Sequence, residues 1–429
     1  MARKFSAALA AFAVLAIATP AAAQQADSAE IRKLREQIEA ITRTIEEMQL
    51  GRDVVVEADT SSEGFGPAAS KVYRVRQGVS IGGYGEALYQ NFAAEQEDGA
   101  PSGQKDELDY LRAIVYFGYK FNDRLLFNSE IEFEHASTGE DGEVSVEFAY
   151  LDYRLSPALG FRGGLLLAPM GFVNELHEPP IFLGTTRPET ERQIIPSTWR
   201  ENGLGAFGGA GDFTYRAYLI AGFDATGFSA AGLRGGRQSG SKSLAEDWGV
   251  VGRVDWTGVP GLLLGGSAYS GNSGQGATLP SDPTVVVDAR TTILEGHAEY
   301  RRGGLELRGL VARSTLDDAA EVNELNGLVG AQSVGEEALG WYLQGGFDVL
   351  RFARTEHQLI PYLRYERLDT QREVPDGFTR NPATDRSILT LGAMWKPIPQ
   401  VALKADYQWQ ANEAETGVNQ LSVNLGYLF

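Results

Sequence analysis

Along the last segment of the chain, Leu421, Val423, Leu425, Tyr427 and Phe429 alternate with Gln420, Ser422, Asn424 and Gly426. A period of two predicts a β-strand with one apolar and one polar face. The same alternation sets Leu111, Ala113, Val115, Phe117 and Tyr119 against Tyr110, Arg112, Tyr116 and Lys120. It recurs with Val401, Leu403, Ala405, Tyr407 and Trp409 against Lys404, Asp406, Gln408 and Gln410. From residue 79 onward it predicts sixteen strands, near 79–91, 107–121, 124–135, 143–154, 160–168, 203–210, 213–223, 247–256, 261–270, 287–301, 304–314, 338–352, 356–368, 386–396, 399–411 and 418–429. Short connections such as Asn122-Asp123, Ser156-Pro157 and Arg302-Gly303 alternate with eight longer ones. An even number of antiparallel strands closes a sheet without edges, and ~16–18 of them leave an aqueous channel. The fold class expected is all-β: a 16-stranded antiparallel transmembrane β-barrel over 79–429, preceded by a short coiled-coil helix.

Upstream the period changes. Ile31, Ile38 and Ile45 share one heptad position and Leu34, Ile41 and Met48 the other, which predicts a coiled-coil helix over 24–50. Isoleucine at both seam positions favours three or four strands over two, so a homotrimer is expected. Residues 51–78, with Thr60-Ser61-Ser62-Glu63-Gly64 and Gly66-Pro67, read as a linker. At the start, Arg3 and Lys4 precede an apolar run to Ala18 and the small residues Ala21-Ala22-Ala23, which makes 1–23 a secretory signal peptide. No later run is apolar and long enough for a membrane helix, so only a closed barrel could span a bilayer. The compartment expected is the outer membrane of a Gram-negative bacterium, with the coil in the periplasm.

Composition narrows the chemistry. The formal charge is −19, and −21 without residues 1–23 and their two cations, so nucleic acid is not an expected partner. Cysteine is absent, which excludes disulfides and thiolate metal sites. Assigned by alternation, and with the irregular fourth strand left aside, the inner wall carries ten cations against eleven acids. A nearly neutral wall implies weak selectivity. The third loop, 169–202, holds five acids and three arginines, with stiffening prolines at 179, 180, 188 and 196, and its length marks it as functional. Candidate pore-lining residues are Arg112, Glu130, Glu132 and Arg162 on the wall, and Glu175, Glu178, Arg187, Arg192 and Arg200 in this loop. The arginines suit anion contact because guanidinium pairs bidentately with phosphate-like groups.

The four histidines, His135, His177, His297 and His357, lie among carboxylates without a catalytic motif, so no enzyme activity and no cofactor are expected. His177 beside Glu175 and Glu178 matches no zinc signature, and no metal site is assigned. Acidic outer-loop residues such as Glu95, Glu97, Asp98, Asp317 and Asp318 suit loose divalent bridging to lipopolysaccharide.

Gly82-Gly83-Tyr84-Gly85-Glu86, the early strands from Tyr110 to Phe133, Pro169-Met170-Gly171 and the terminal Phe429 resemble the phosphate-selective porin O and P family. The resemblance implies sixteen strands per monomer, three monomers, and a constriction narrowed by an infolded third loop. It also implies passive diffusion of small hydrophilic solutes and ions, including anions such as phosphate. A terminal aromatic resembles the signal read by the barrel assembly machinery, which makes Phe429 a candidate assembly residue. The chain departs from the pattern in having only eight lysines, two of them in the signal and coiled-coil regions. The alternative function is an outer-membrane anchor tethered to the cell wall through the coil.

Overall fold

The computed structural model describes residues 33, 36–39, 58, 60–136 and 142–429. The signal peptide and nearly all of the expected coiled coil, including Ile31, Leu34, Ile41, Ile45 and Met48, lie outside these residues. Residues 33 and 36–39 are helical, with Ile38 exposed.

The first eight strands are β1 (Gly78–Phe92), β2 (Glu107–Lys120), β3 (Leu125–Glu134), β4 (Val144–Ser156), β5 (Leu159–Leu167), β6 (Arg200–Ala210), β7 (Phe213–Ala221) and β8 (Trp248–Val259). The remainder are β9 (Leu262–Gly271), β10 (Thr291–Arg302), β11 (Leu305–Leu316), β12 (Glu337–Phe347), β13 (Gln358–Glu373), β14 (Asp385–Ile398), β15 (Val401–Asn412) and β16 (Gln420–Leu428). Each pairs antiparallel with the next, and β16 returns to β1, closing a 16-stranded barrel. Closure pairs the sheet's backbone groups internally, which a bilayer demands. Exposure fixes which face is outside. In β15, Leu403 is 41% exposed while its neighbour Lys404 is 0% exposed, and Asp406 and Gln408 are buried beside it. Apolar residues outward and charges inward is the reverse of a water-soluble sheet.

At the seam, Phe429 N–H donates to Gly83 O (2.9 Å) and Gly83 N–H donates to Phe429 O (3.1 Å). A methyl group at Gly83 would collide with the Ile114 carbonyl and sit 2.7 Å from the Phe429 ring. The glycine in β1 thus makes room for the aromatic end of the chain.

Of the strand ends that differ from the alternation pattern, two have a local cause. β12 stops at Phe347, five residues early, because the Asp348 carboxylate accepts from the Leu350 and Leu359 N–H groups (both 3.1 Å) and turns the chain. β10 starts at Thr291, because Val286 and Val287 pair instead with Thr278 and Ala277 in a loop hairpin.

The interior is largely filled. From Thr60 the stretch expected as a linker folds against the inner wall, with a short helix at Lys71–Arg74 and Phe65, Ala68, Ala69 and Val72 buried. Phe65 packs on Phe148 and Tyr150, and Asn128 Nδ2 donates to Ala69 O (2.9 Å). Burying a phenylalanine or valine side chain contributes about 1.5–3 kcal/mol, enough to order so short a segment against a preformed wall. Gly, Pro and Ser suit a packed irregular strap as well as a free linker, so composition alone does not separate the two.

Candidate functional site

The third loop, residues 168–199, runs through the barrel rather than over it. Asn174 pins its two ends together: its side-chain amide donates to Ala168 O (2.6 Å) and Trp199 O (2.9 Å) and accepts from Trp199 N–H (2.6 Å). The Glu191 carboxylate, from a short helix at Glu189–Gln193, accepts from the N–H groups of Phe172 (2.7 Å) and Val173 (2.8 Å). Trp199 stacks on Phe223 at 4.5 Å between ring centroids, burying the exit of the loop.

Wall carboxylates then hold the loop's path. Asp406 accepts from Thr185 N–H (2.7 Å) and Oγ1 (2.9 Å), and Glu366 accepts from Thr190 N–H (3.2 Å). Lys404 Nζ donates to Gly184 O (2.8 Å) and Lys396 Nζ to Pro180 O (3.0 Å). On the opposite wall, His177 Nε2 lies 3.2 Å from Glu130, and Glu178 accepts from Ala68 N–H (3.1 Å) and Ala69 N–H (2.9 Å) of the inner strap. The loop therefore spans from β3 to β15.

The arginines on the β4–β11 side each lie against an acid. Arg162 grips Asp152 through Nε (2.8 Å) and Nη2 (2.9 Å). Arg216 and Arg253 share Asp255 (2.8 Å each) and flank Glu175 at 3.4 and 4.0 Å. Arg308 binds Glu299, and His297 sits between Asp255 (2.8 Å) and Glu295 (2.7 Å).

The other side of the loop faces a cavity of about 420 Å³, walled by β1, β2 and β14–β16. Arg112, Arg187, Arg192, Arg234 and Arg386 line it against only Glu86 and Glu189, with Thr185, Thr186, Gln90, Gln408, Gln410 and Gln420 as neutral donors. Arg112 pairs with Glu86 (3.2 Å), and Glu189 serves both Arg192 (2.7 Å) and Arg386 (3.0 Å). Among the described residues, no carboxylate lies within 4.0 Å of Arg187 or Arg234. Arg187 donates to Thr198 Oγ1 (2.5 Å), and Arg234 to the carbonyls of Ser197 and Arg192. Arg237 stands behind them on the Thr198 carbonyl. Burial, and then the charges of Arg237, Arg192 and Arg187, hold Arg234 below the usual guanidinium range. Burial and the charge of Arg200 do the same for Arg237. Such crowding is relieved by an anion.

Of the nine candidate pore residues, Arg112, Arg187 and Arg192 meet at this cavity. Glu130 and Glu132 are buried and do not line the cavity, with Glu132 3.5 Å from Arg112. Arg200 opens β6 and binds Glu147 (3.0 Å), Arg162 lies under the inner strap, and Glu175 and Glu178 fasten the loop. Arg234 was not legible as a partner of the third loop, because it arrives from the connection after β7. Its one signal is the pair Arg234 and Arg237 in an otherwise glycine- and serine-rich stretch.

No family model matches the chain. An uncharacterized protein of Aquifex aeolicus (strain VF5) is 41% identical over 367 residues, spanning 82% of this chain and 80% of that protein. Among solved structures, the outer membrane channel DcaP of Acinetobacter baumannii matches with a TM-score of 0.53 at 12% identity, covering 87% of this chain and all of that one. An anion-selective porin from Comamonas acidovorans matches at 0.50 and 15% identity, covering 82% and 99%. OmpT of Vibrio cholerae in a trimer form matches at 0.52 and 13%, also covering 82% and 99%. The chain belongs to the family of the Aquifex aeolicus protein, and its barrel has the fold of the outer-membrane porins.

Proposed function

We propose that the protein is an outer-membrane channel for passive diffusion of small hydrophilic solutes, with a preference for anions such as phosphate. The observation that carries this reading is the cavity beside the third loop, where five arginines face two glutamates and Arg187 and Arg234 have no carboxylate within 4.0 Å. A cleft lined by one sign of charge between low-dielectric walls raises the local concentration of the opposite ion. Two guanidinium groups flanked by hydroxyl and amide donors suit an oxyanion, and a neighbour in fold is described as an anion-selective porin. Three of the four histidines serve as braces in this reading: His135 on Asp109, His177 on Glu130, and His297 on Asp255 and Glu295. The test is the reversal potential of the reconstituted channel in a potassium chloride gradient, followed by titration with phosphate. Chloride should be the more permeant ion and phosphate should reduce its current; a cation-selective potential would overturn the reading.

The isoleucine seam supports a trimer held partly by the periplasmic coil, with the trimer form of a fold neighbour as an analogy. Changing Ile38 and Ile41 to Asp should weaken the oligomer, and an unchanged subunit count and heat resistance would remove the coil from assembly. Phe429, paired with Gly83 at the seam, is the proposed assembly signal, and a chain lacking it should give less folded barrel.

A further inference from the structure

We propose that His177, Glu130 and Glu147 form a binding site for a first-row divalent metal ion that fastens the third loop to the barrel wall. The three come from the loop, β3 and β4, and one ligand atom from each lies within 4.8 Å of the other two. His177 Nε2 is 3.2 Å from a Glu130 oxygen and 3.5 Å from Glu147 Oε2. Metal–ligand lengths of about 2.0–2.1 Å give tetrahedron edges of roughly 3.3–3.4 Å, so these separations suit ligands that share one ion. The other ring nitrogen, Nδ1, lies 3.0 Å from the Asn174 carbonyl oxygen. An N–H donated there leaves the Nε2 lone pair facing the two carboxylates, the usual orientation of a metal-binding histidine.

Glu147 reaches the site through a β-bulge. The β3–β4 register shifts between Glu130 and Ile131, so Glu130 faces Phe148 while Ile131 faces Val146. Glu147 is the extra residue, and it and Phe148 are both buried where strict alternation would turn one of them outward. The site also contains buried polar atoms without hydrogen bonds. Glu130 Oε2, Glu147 Oε2 and the Tyr84 hydroxyl are buried with no hydrogen bond, and the Tyr84 ring meets the His177 ring edge-on at 6.1 Å. Among the described residues no arginine or lysine lies within 4.0 Å of Glu130, and Arg200 occupies only the other oxygen of Glu147. Buried carboxylates are stabilised by a cation, and a divalent ion on His177 would serve both. One imidazole and two carboxylates suit zinc and its first-row neighbours better than calcium or magnesium, which prefer all-oxygen sites.

The test uses the folded full-length protein, stripped with a chelator, equilibrated with zinc in excess calcium to occupy exposed carboxylates, and desalted. About one zinc per chain should remain, and X-ray absorption should show imidazole nitrogen among its ligands. E130Q and E147Q, which keep side-chain size, should each lower zinc affinity about tenfold or more, and H177A should abolish retention. The proposal fails if the parent retains no zinc, if folded variants retain as much as the parent, or if the absorption spectrum lacks imidazole. The last outcome needs only the parent, so a variant that does not fold leaves the proposal open to refutation.

Discussion

The two faces of the third loop meet walls of similar composition and treat charge in opposite ways. Toward β3–β11, Arg162, Arg216, Arg253 and Arg308 each lie against an acid at hydrogen-bonding distance, and all four are buried. Toward β14–β16 and β1, Arg187 and Arg234 face a cavity without an acid within 4.0 Å. A buried charge left without its partner costs several kcal/mol, so the first set is bound to its acids and unavailable to a solute. The second set retains its field. A near-neutral count over the whole wall therefore says little about selectivity, because most of those charges cancel in place.

The largest expected effect comes from breaking the braced side. Arg162→Ala strands the buried Asp152 and removes the guanidinium stacked over Phe65 and Tyr150. A loss of about 3–5 kcal/mol is expected in urea unfolding of the barrel, with the sign of ion selectivity unchanged. A stability loss below about 1 kcal/mol would show that this pair is not a brace. Asp406→Ala acts at the loop's other anchor, where the carboxylate accepts from Thr185 twice and from the Tyr362 hydroxyl (2.6 Å). About 1–3 kcal/mol should be lost, with noisier single-channel current as the loop loosens over the cavity. A quiet current at the parent's conductance would mean that the remaining contacts suffice.

The sequence revealed the strands and hid the interior for one physical reason. Lipid outside and polar groups inside impose a period of two on every strand, so all sixteen are legible, β16 most clearly in Leu421 to Tyr427. Where a side chain answers to a local contact instead, the period misleads. The Asp348 turn shortens β12, and the bulge at Glu147 breaks the alternation of β4, so the wall count omits Glu147, which lies 3.5 Å from His177. The third loop stood out by length and proline content, and Arg187 and Arg192 by their chemistry. Their meeting with Arg234 and Arg386 depends on tertiary folding between connections that no local pattern records.

The most direct measurement compares the reversal potential of the parent with that of Arg187→Gln/Arg234→Gln in the same potassium chloride gradient. The parent should favour chloride. The double variant should move toward zero while the barrel stays folded, losing no more than about 1–3 kcal/mol for the bonds to Thr198 and to the Ser197 and Arg192 carbonyls. A variant that keeps the parent's potential, or a parent that favours potassium, would contradict the assignment of selectivity to the unpaired arginines.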